Sequence, residues 1–364
     1  MASIRGRTRK DGSRVWQVLW RDADTGRQTS ETYDSEQEAQ LLRKFLTANG
    51  NSFRMAATAA RAMRSTSPTV AHVVTAHIDG LTAVEPGTRA KYRRIADRHI
   101  IPALGARPVD TLTRADVAAW FNALDMAPKT RKNVHALLSA ALTTAVREKL
   151  LEGNPAKGIR GPRSAPRREP VFLTRAEVET IAGTVAPPYG ALVRFLADSG
   201  LRYAEATALT GAHVARRDGR IVVHVRQAWK RTGAGEALGT PKSPRSRRDV
   251  TLSPAASARL EHHLTGRARG GFIFARAGGG HLRNGAFHEL YWGPAMAELD
   301  GQGLLRARPV PHDLRHTHAS WLLAAGVPIH VVSARLGHES ITTTVGTYGH
   351  LLADADQAAA DALD

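Results

Sequence analysis

Four short clusters in the C-terminal half of the chain carry side chains that could act together on a phosphodiester. Arginines can bind a phosphate through paired hydrogen bonds, and a tyrosine oxygen can attack phosphorus. Histidine can manage the phenolic proton, because a free phenol has a pKa of about 10. A lysine can protonate the departing sugar oxygen, and cations stabilise the charge that builds on the other phosphate oxygens. The candidates for these roles are Arg202, Lys242, His312, Arg315, His338 and Tyr348.

The first two clusters are Ser199–Glu205 and Thr240–Val250. Gly200 is expected to end a helix, so that Arg202 starts the next one, where a helix N-terminus and a guanidinium favour phosphate. Glu205 lies one turn further on and is placed to hold Arg202. The second cluster is a cation-rich loop between two candidate strands. Taken alone, each cluster is also typical of ordinary exposed surface.

The third cluster, Pro311–His318, begins a helix. Its first turn places His312 and Arg315 three residues apart, so that both can point to one spot. His318 shares a stripe with apolar residues at helical spacing, which predicts a histidine in or near the core rather than a ligand.

A metal site is not predicted. His312 and His316 have the i, i+4 spacing of zinc ligands, but zinc would need a third ligand, and no Glu stands between the two histidines. No cluster of Asp and Glu suited to Mg²⁺ accompanies the basic residues. The run Gly278–Gly280 lacks the flanking strand and helix of a phosphate-cradling loop. We therefore expect no metal ion and no cofactor.

The fourth cluster, Arg335–His350, has a short helix that Gly337 should stop, with His338 just beyond it. Tyr348 follows in a polar stretch. A core tyrosine normally has apolar neighbours, so this setting predicts an exposed side chain. Glycines at positions 346 and 349 lower the helix propensity around it.

The composition favours a polyanionic partner. The chain has 364 residues, enough for two or three domains at roughly 100–200 residues each. Lys and Arg total 51 against 33 Asp and Glu, which gives a net charge of +18 and a sequence pI near 11.0. Nucleic acid is the leading candidate. A basic membrane-surface protein would need an amphipathic basic helix with an aromatic face, and none stands out.

The chain has no cysteine, which excludes disulfides, thiolate zinc sites and cysteine nucleophiles. Its N-terminus has no apolar run of the secretory kind, and no stretch approaches about 18 uninterrupted apolar residues. We therefore expect a cytoplasmic protein with no membrane partner.

Residues 1–50 are expected to form a small basic module. Arg14–Trp20 and Gln28–Tyr33 have the composition of two strands separated by a turn, and Ser35 should open a helix to about Ala48 through a capping box. A basic strand pair backed by one helix is well sized for a groove of DNA. The alternative is a solvated hairpin that is merely basic.

Residues 51–67 have the composition of a linker, and residues 68–160 have the apolar spacing of an all-helical region. In its last helix an apolar stripe from Val134 to Ala145 is expected in the core. The basic residues opposite form either a solvated face or a phosphate-facing surface. The expected helices are Val70–Leu81, Thr88–His99, Arg114–Leu124 and Thr130–Leu151.

A basic segment rich in Pro, Gly and Arg at 160–169 marks a second boundary. The region beyond it, to residue 364, should be mixed. We expect helices at Arg175–Ala182 and Pro188–Ser199, strands at Arg220–Val225 and Asp249–Leu252, and helix in the remainder.

In order and local spacing, the chemically active residues resemble the tyrosine recombinase (phage integrase) family. The match extends over nearly all of His312–Leu351. The motifs that carry it are Arg202, Lys242, His312-x-x-Arg315, Leu336-Gly337-His338 and Tyr348-Gly-His350.

The resemblance implies a multidomain α+β protein. Its parts would be a small β-sheet-plus-helix arm-type DNA-binding module at 1–55, a linker at 56–67, an all-α core-site DNA-binding domain at 68–160, a linker at 161–169, and a mainly α catalytic domain with a small β-sheet at 170–364. Gly153–Pro155 resembles the usual end of the helical domain.

The resemblance also implies roles for the residues. Arg202, Arg315 and His338 would hold the scissile phosphate. His312 would act as acid and base, and Lys242 as general acid to the 5′-hydroxyl. Tyr348 would form the 3′-phosphotyrosyl link, with His316 as a supporting residue.

The family acts on double-stranded DNA attachment sites. The resemblance therefore implies DNA as the partner and a homotetramer that exchanges strands through a Holliday junction. It also implies a protein associated with the bacterial nucleoid. An excisionase or a host DNA-bending protein would be further partners. We also expect the acidic tail Ala353–Asp364 to pack onto a neighbouring protomer. The alternatives are a topoisomerase IB-like nicking-closing enzyme, a resolvase, and a non-catalytic sequence-specific DNA-binding protein.

Overall fold

The structure, a computed structural model, describes residues 2–9, 11–53, 56, 65–161, 168–232, 235–241, 243–266 and 268–349. The chain forms two compact units that divide between residues 167 and 168. Lys242, His350 and the tail Ala353–Asp364 lie outside the described residues, as does most of each expected linker. Among the described helices, none is long and apolar enough to span a membrane.

The N-terminal part of the first unit is a three-stranded antiparallel sheet with one helix. In order of pairing, the strands are β1 (Ser3–Thr8), β2 (Arg14–Arg21) and β3 (Gln28–Tyr33), and α1 (Glu36–Ala48) follows them. The sequence predicted a strand pair and missed β1, because its arginines and glycine leave no alternating apolar pattern. Ser35 precedes α1 as expected, but its side chain makes no cap hydrogen bond, so the predicted capping box was wrong there.

The two faces of this sheet differ in character. Ile4 pairs with Val18 across β1 and β2, and both belong with Trp20 to the apolar cluster that packs on α1. Side chains alternate along a strand, so Arg5 and Arg7 point to the opposite face. Both arginines are exposed there. The sheet therefore has an apolar side on α1 and an opposite side, called here the basic side, on which Arg5 and Arg7 lie beside Val15 and Leu19.

The rest of the first unit is helical. Its helices are α2 (Val70–Asp79), α3 (Pro86–Ile95), α4 (Ile101–Leu104), α5 (Arg114–Ala123) and α6 (Pro128–Arg147). The predicted helix Thr88–His99 is divided, because a π-helical turn at Ala96–Ile100 joins α3 to α4. The last helix ends before the predicted Leu151, and Lys149 just beyond its end has a positive φ of 61°.

The predicted apolar stripe of α6 does lie in the core of this region. Asn154 closes the segment that follows, because its amide donates to the backbone oxygen of Ser139 at 2.9 Å and to the hydroxyl of Thr143 at 2.9 Å. Thr113 caps α5 in a capping box with Asp116. The fully or nearly buried residues of the stripe are Val134, Leu137, Leu138, Ala141, Leu142 and Ala145.

The helices of the second unit follow the predicted pattern near its start. The predicted helix Arg175–Ala182 extends to Thr184, and Pro188–Ser199 starts two residues late, at Gly190. The helices are α7 (Arg175–Thr184), α8 (Gly190–Ser199), α9 (Tyr203–Ala206), α10 (Pro254–Leu264), α11 (Asn284–Phe287), α12 (Gly293–Gly301), α13 (Asp313–Ala324), α14 (Ile329–Leu336) and α15 (Ile341–Tyr348).

The strands of the second unit are more numerous than predicted. They are β4 (Val214–Arg217), β5 (Arg220–Val225), β6 (Ala228–Thr232), β7 (Gly235–Gly239) and β8 (Arg248–Thr251). One antiparallel sheet has the order β4-β5-β8, and β6 pairs with β7. Strand β5 was predicted correctly and β8 within one residue. The expectation of helix elsewhere was wrong at β4, β6 and β7, whose residues show no alternating apolar pattern.

Two apolar clusters fix the elements that carry the site. The larger one joins α8 to the sheet and to the first turn of α13, where Leu314 is fully buried. The smaller one joins α13, α14 and α15 through Leu323, Val332, Leu336 and Tyr348. The starts and ends of these three helices are therefore held together by packing.

Candidate active site

Arg202 stands at the N-cap of α9, as the sequence predicted. Gly200 ends α8 with a φ of 67°, in the left-handed region that favours glycine. The Arg202 guanidinium donates to Glu205 at 2.8 Å and to the backbone oxygen of Gly337 at 3.2 Å. Its side chain remains 36% exposed, so part of the guanidinium can still meet a ligand.

Glu205 is buried and lies between two arginines. It accepts hydrogen bonds from Arg202 and, at 2.9 Å, from Arg248, whose side chain is only 7% exposed. Burial by itself would raise the pKa of Glu205, but the charges of Arg248 and Arg202 hold it below its ordinary value. The carboxylate is therefore ionised and balances the positive charge around it.

Arg248 joins three segments that each hold a site residue. Besides Glu205, it donates to the backbone oxygens of Ser246 at 2.9 Å and of Arg335 at 2.6 Å. Ser246 stands four residues after Lys242 in the sequence, and Arg335 precedes the turn before His338. Sequence reasoning missed Arg248, because it is one of several arginines in a basic loop and no pattern distinguishes it.

Arg315 is buried in the first turn of α13. Its two terminal nitrogens donate to the backbone oxygens of Gly200 at 2.7 Å and Leu336 at 2.6 Å. Burial and the nearby charge of Arg202 lower the pKa of Arg315 to about 9, so it stays protonated at neutral pH. Arg202 and Arg315 thus bind consecutive carbonyls at the end of α14, and a guanidinium has further N–H groups for a phosphate.

His338 follows these carbonyls directly. Its Nδ1 lies 2.7 Å from the hydroxyl of the buried Thr344. Partial burial and the charges of Arg315 and Arg202 lower the pKa of His338 to about 4. A neutral ring that accepts the Thr344 hydroxyl at Nδ1 would carry its proton on Nε2, where it can donate to a phosphate oxygen.

His312 and His316 stand one turn apart at the start of α13, with ring centroids 4.9 Å apart in an edge-to-face arrangement. Partial removal of His312 from water and the neighbouring His316 and Arg315 lower its pKa to about 4, although one side of the residue is exposed. The described residues contain no group of three or more His, Cys, Asp or Glu side chains that could hold a metal ion.

Tyr348 ends α15 and is buried, with 1% of its surface exposed. The prediction of an exposed tyrosine was therefore wrong. Its apolar neighbours come from α13 and α14, which are distant in sequence and invisible to a local pattern. The phenolic oxygen lies 2.8 Å from Nδ1 of His316. Burial raises the pKa of Tyr348 to about 12, and the charge of Arg315 opposes part of that rise.

His318 is a core histidine, as predicted. Its Nδ1 donates to the backbone oxygen of Ala197 at 2.8 Å, and Nε2 accepts from Arg335 at 3.0 Å. Burial and the charge of Arg335 lower its pKa to about 3, so the ring is neutral. Next to His312, the buried Asp313 accepts from Arg168 at 2.9 Å, a contact that sequence reasoning also missed because 145 residues separate the pair.

The second unit thus brings Arg202, Arg315 and His338 to one turn, with His312, His316 and Tyr348 along the adjacent helix ends. Its charge is mostly positive, with Glu205 buried beneath. Such a set can bind a phosphodiester and stabilise charge on its oxygens without a metal ion. Lys242 lies outside the described residues, so its place in this set stays a prediction.

Comparison with known proteins identifies the same family as the sequence motifs. Residues 171–354 match the phage integrase family, and residues 82–124 match an N-terminal SAM-like domain of phage integrases. The prophage phiRv2 integrase of Mycobacterium tuberculosis is 30% identical over 267 residues, which are 71% of this chain and 68% of that protein. The integrase of Mycobacterium phage L5 is 30% identical over 259 residues, 69% of this chain and 67% of that one.

Solved structures share the fold. The Tn1549 transposon integrase, solved with a circular intermediate DNA, has a TM-score of 0.71 and 21% identity over 82% of this chain and all of that one. A lambda integrase tetramer bound to a Holliday junction has a TM-score of 0.61 and 18% sequence identity. The match covers 93% of this chain and 94% of that one. The fold is multidomain α+β. The chain therefore belongs to the phage integrase family and is a tyrosine-type site-specific recombinase.

Proposed function

We propose that this recombinase cleaves and rejoins double-stranded DNA attachment sites through a 3′-phosphotyrosyl bond at Tyr348, and so integrates or excises a mobile element. The observation that carries the proposal is the position of the Tyr348 hydroxyl, 2.8 Å from an imidazole that adjoins the buried Arg315 in sequence. A nucleophile, a proton acceptor and a phosphate-binding cation are thereby held at the joined ends of α13 and α15.

In this proposal the six predicted residues divide the work. Arg202, Arg315 and His338 bind the non-bridging oxygens, His312 acts as acid and base, and Lys242 protonates the departing 5′-oxygen. Because Tyr348 is buried, bound DNA must open a path for the phosphate to its oxygen while the tyrosine stays beside the start of α13. Covalent attachment conserves the energy of the phosphodiester bond, so rejoining needs no ATP.

The DNA would be held by both units. We propose that residues 1–55 bind arm-type sites with the basic side of their sheet, that residues 68–160 bind the core site, and that residues 170–364 catalyse. By analogy with the lambda integrase tetramer solved on a Holliday junction, four protomers would bridge two sites. An excisionase or a host DNA-bending protein would set the direction of the reaction.

A nicked duplex tests the proposal. The attachment site is first selected from a random-sequence DNA pool, and a nick beside the cleavage position traps the covalent product. We expect the wild type to form an adduct that resists denaturation, and Tyr348→Phe to bind the same DNA without forming one. No adduct with the wild type, or an equal adduct from the variant, excludes this mechanism. Relaxation of supercoils without joining of two sites would favour a topoisomerase-like enzyme. Joining of two sites only when both lie on one circle would favour a resolvase.

A further inference from the structure

Tyr348 is joined to His316 in a way that the six predicted residues do not explain. The phenolic oxygen lies 2.8 Å from Nδ1 of His316, and the two ring centroids are 5.6 Å apart. The ring of His312 also adjoins His316, with centroids 4.9 Å apart. The histidine in direct contact with the nucleophilic oxygen is therefore His316.

The surroundings of the phenol make a base at this position necessary. Burial raises the pKa of Tyr348 to about 12, so on the order of one phenol in 10⁵ would be ionised at pH 7. A buried phenol does not lose its proton to bulk water in place, because water has little access to the oxygen. The proton must therefore pass to a group that already touches it.

We propose that His316 is a further catalytic residue, the general base that takes the phenolic proton of Tyr348 during strand cleavage and returns it during rejoining. This proposal rests on the proposed function. As the bond from the Tyr348 oxygen to phosphorus forms, the O–H proton moves to Nδ1 of His316. The bond from phosphorus to the 5′-oxygen breaks, and a general acid supplies the proton of the new 5′-hydroxyl. Rejoining reverses each transfer, so no oxidant, reductant or other reactant is needed.

The geometry suits this proton transfer. At 2.8 Å, the hydroxyl can donate to the Nδ1 lone pair of a neutral imidazole whose proton is on Nε2. The neighbouring Arg315 fixes the first turn of α13 through two backbone oxygens. Tyr348 belongs to the apolar cluster that includes Leu323 and Leu336. Both partners are thus positioned by contacts outside the pair, as a general base and its substrate group must be.

In this division, His312 need not act on the nucleophile. It stands at the exposed end of the histidine pair, where it can serve the phosphate or the departing oxygen. In this assignment His316 acts on the phenol of Tyr348, and His312 acts on the phosphate or the departing oxygen. An experiment can detect this difference.

The test varies the acidity of the phenol in the full-length protein. Single-turnover cleavage of the nicked duplex is measured for the wild type, for His316→Gln, and for both with 3,5-difluorotyrosine incorporated at position 348. We expect His316→Gln to slow cleavage by about 10²–10⁴-fold, the usual contribution of a general base. Difluorotyrosine is more acidic than tyrosine, so it should restore at least about tenfold of the cleavage rate, because its phenol depends less on a base. His262→Gln, at an exposed histidine on α10, is the matched control and should cleave normally.

Two outcomes would overturn the proposal. Normal cleavage by His316→Gln would show that the contact is not used. A slow variant that difluorotyrosine does not restore would show that His316 positions Tyr348 without taking its proton. Failure of the proposed function itself looks different, since the wild type would then form no adduct or Tyr348→Phe would still form one. Melting temperatures of all variants, compared with the wild type, separate these results from loss of folding.

Discussion

At the scale of single residues, Glu205 has a role that its sequence position conceals. An Arg–Glu pair three residues apart usually lies on the surface, where it contributes little to stability. Here the carboxylate is 3% exposed and binds both Arg202 and Arg248. Removal of one partner from a buried ionic group leaves uncompensated charge, which is far more costly than loss of a surface pair.

Glu205→Gln should therefore lower the free energy of unfolding around α9 by about 3 kcal/mol at pH 7. The pKa of Glu205 is lowered in the folded protein, so its ionised form stabilises the fold above the ordinary value of 4.5. That stabilisation is lost as the pH falls below 4.5 toward the folded-state pKa. The difference between variant and wild type should be constant from pH 7 to about 5 and shrink below that.

Hydrogen–deuterium exchange of peptides across α9 measures this difference locally, which suits a protein with two units. Glu289→Gln, at an exposed carboxyl, serves as the control and should alter exchange little at any pH. A Glu205→Gln effect that stays the same below pH 4.5 would mean that the carboxylate charge is not what stabilises this region.

The candidate site residues could be chosen from sequence, but their environments could not. Residue type, order and short spacing single out Arg202, His312, Arg315 and His338. Exposure depends on which distant elements pack together, and for that reason the local polarity around Tyr348 gave the wrong answer. The same limit hid Arg248, whose partners come from three separate segments.

At the scale of elements, the turn at Gly337 connects the helix ends that form the site. Gly337 has a φ of 67°, and the space where a Cβ would stand is 3.0 Å from a terminal nitrogen of Arg248. A side chain at this position would have to displace Arg248 or the turn. Because Arg202 and Arg315 bind the carbonyls of this turn, the change would reach both arginines.

Gly337→Ala should consequently impair both stability and cleavage. A left-handed conformation at a non-glycine residue costs about 1–3 kcal/mol, and a small misplacement of catalytic groups can slow a reaction by about 10²-fold. Gly326→Ala is a matched control, because Gly326 has a φ of 75° at the end of α13 but open space at its Cβ position. Both variants should melt at lower temperature, and Gly337→Ala alone should show strongly slowed single-turnover cleavage. Equal cleavage rates for the two would separate this turn from catalysis.

Among elements, those with strong apolar periodicity or clear end signals were predicted well. Helix α6 and strand β5 have such patterns, and Gly200 marks the end of α8. Strands β1, β6 and β7 were missed because they lack an alternating apolar pattern and gain strand structure from pairing with a neighbour rather than from local preference. A single sequence carries no direct signal of such pairing.

At the scale of the whole molecule, the net charge of +18 has to be distributed so that DNA is bound at defined places. The sheet of the N-terminal module has one apolar side against α1 and one basic side with Arg5 and Arg7. Helix α1 also carries exposed cations, Arg43 and Lys44. Charge alone therefore does not identify the DNA-binding side, and it is our proposal that assigns arm-site DNA to the sheet.

The double substitution Arg5→Gln with Arg7→Gln tests that assignment in the full-length protein. Each phosphate that the protein no longer neutralises should reduce the slope of log affinity against log salt concentration by about 0.9, so we expect a change of about 2 on arm-site DNA. Arg43→Gln with Lys44→Gln removes the same charge from the helix side and should alter the slope much less. Cleavage of the nicked core site should match the wild type in both, since neither pair belongs to the catalytic unit. An equal reduction of the slope in the two double variants would show that the module attracts DNA through its net charge and does not present the sheet to a groove.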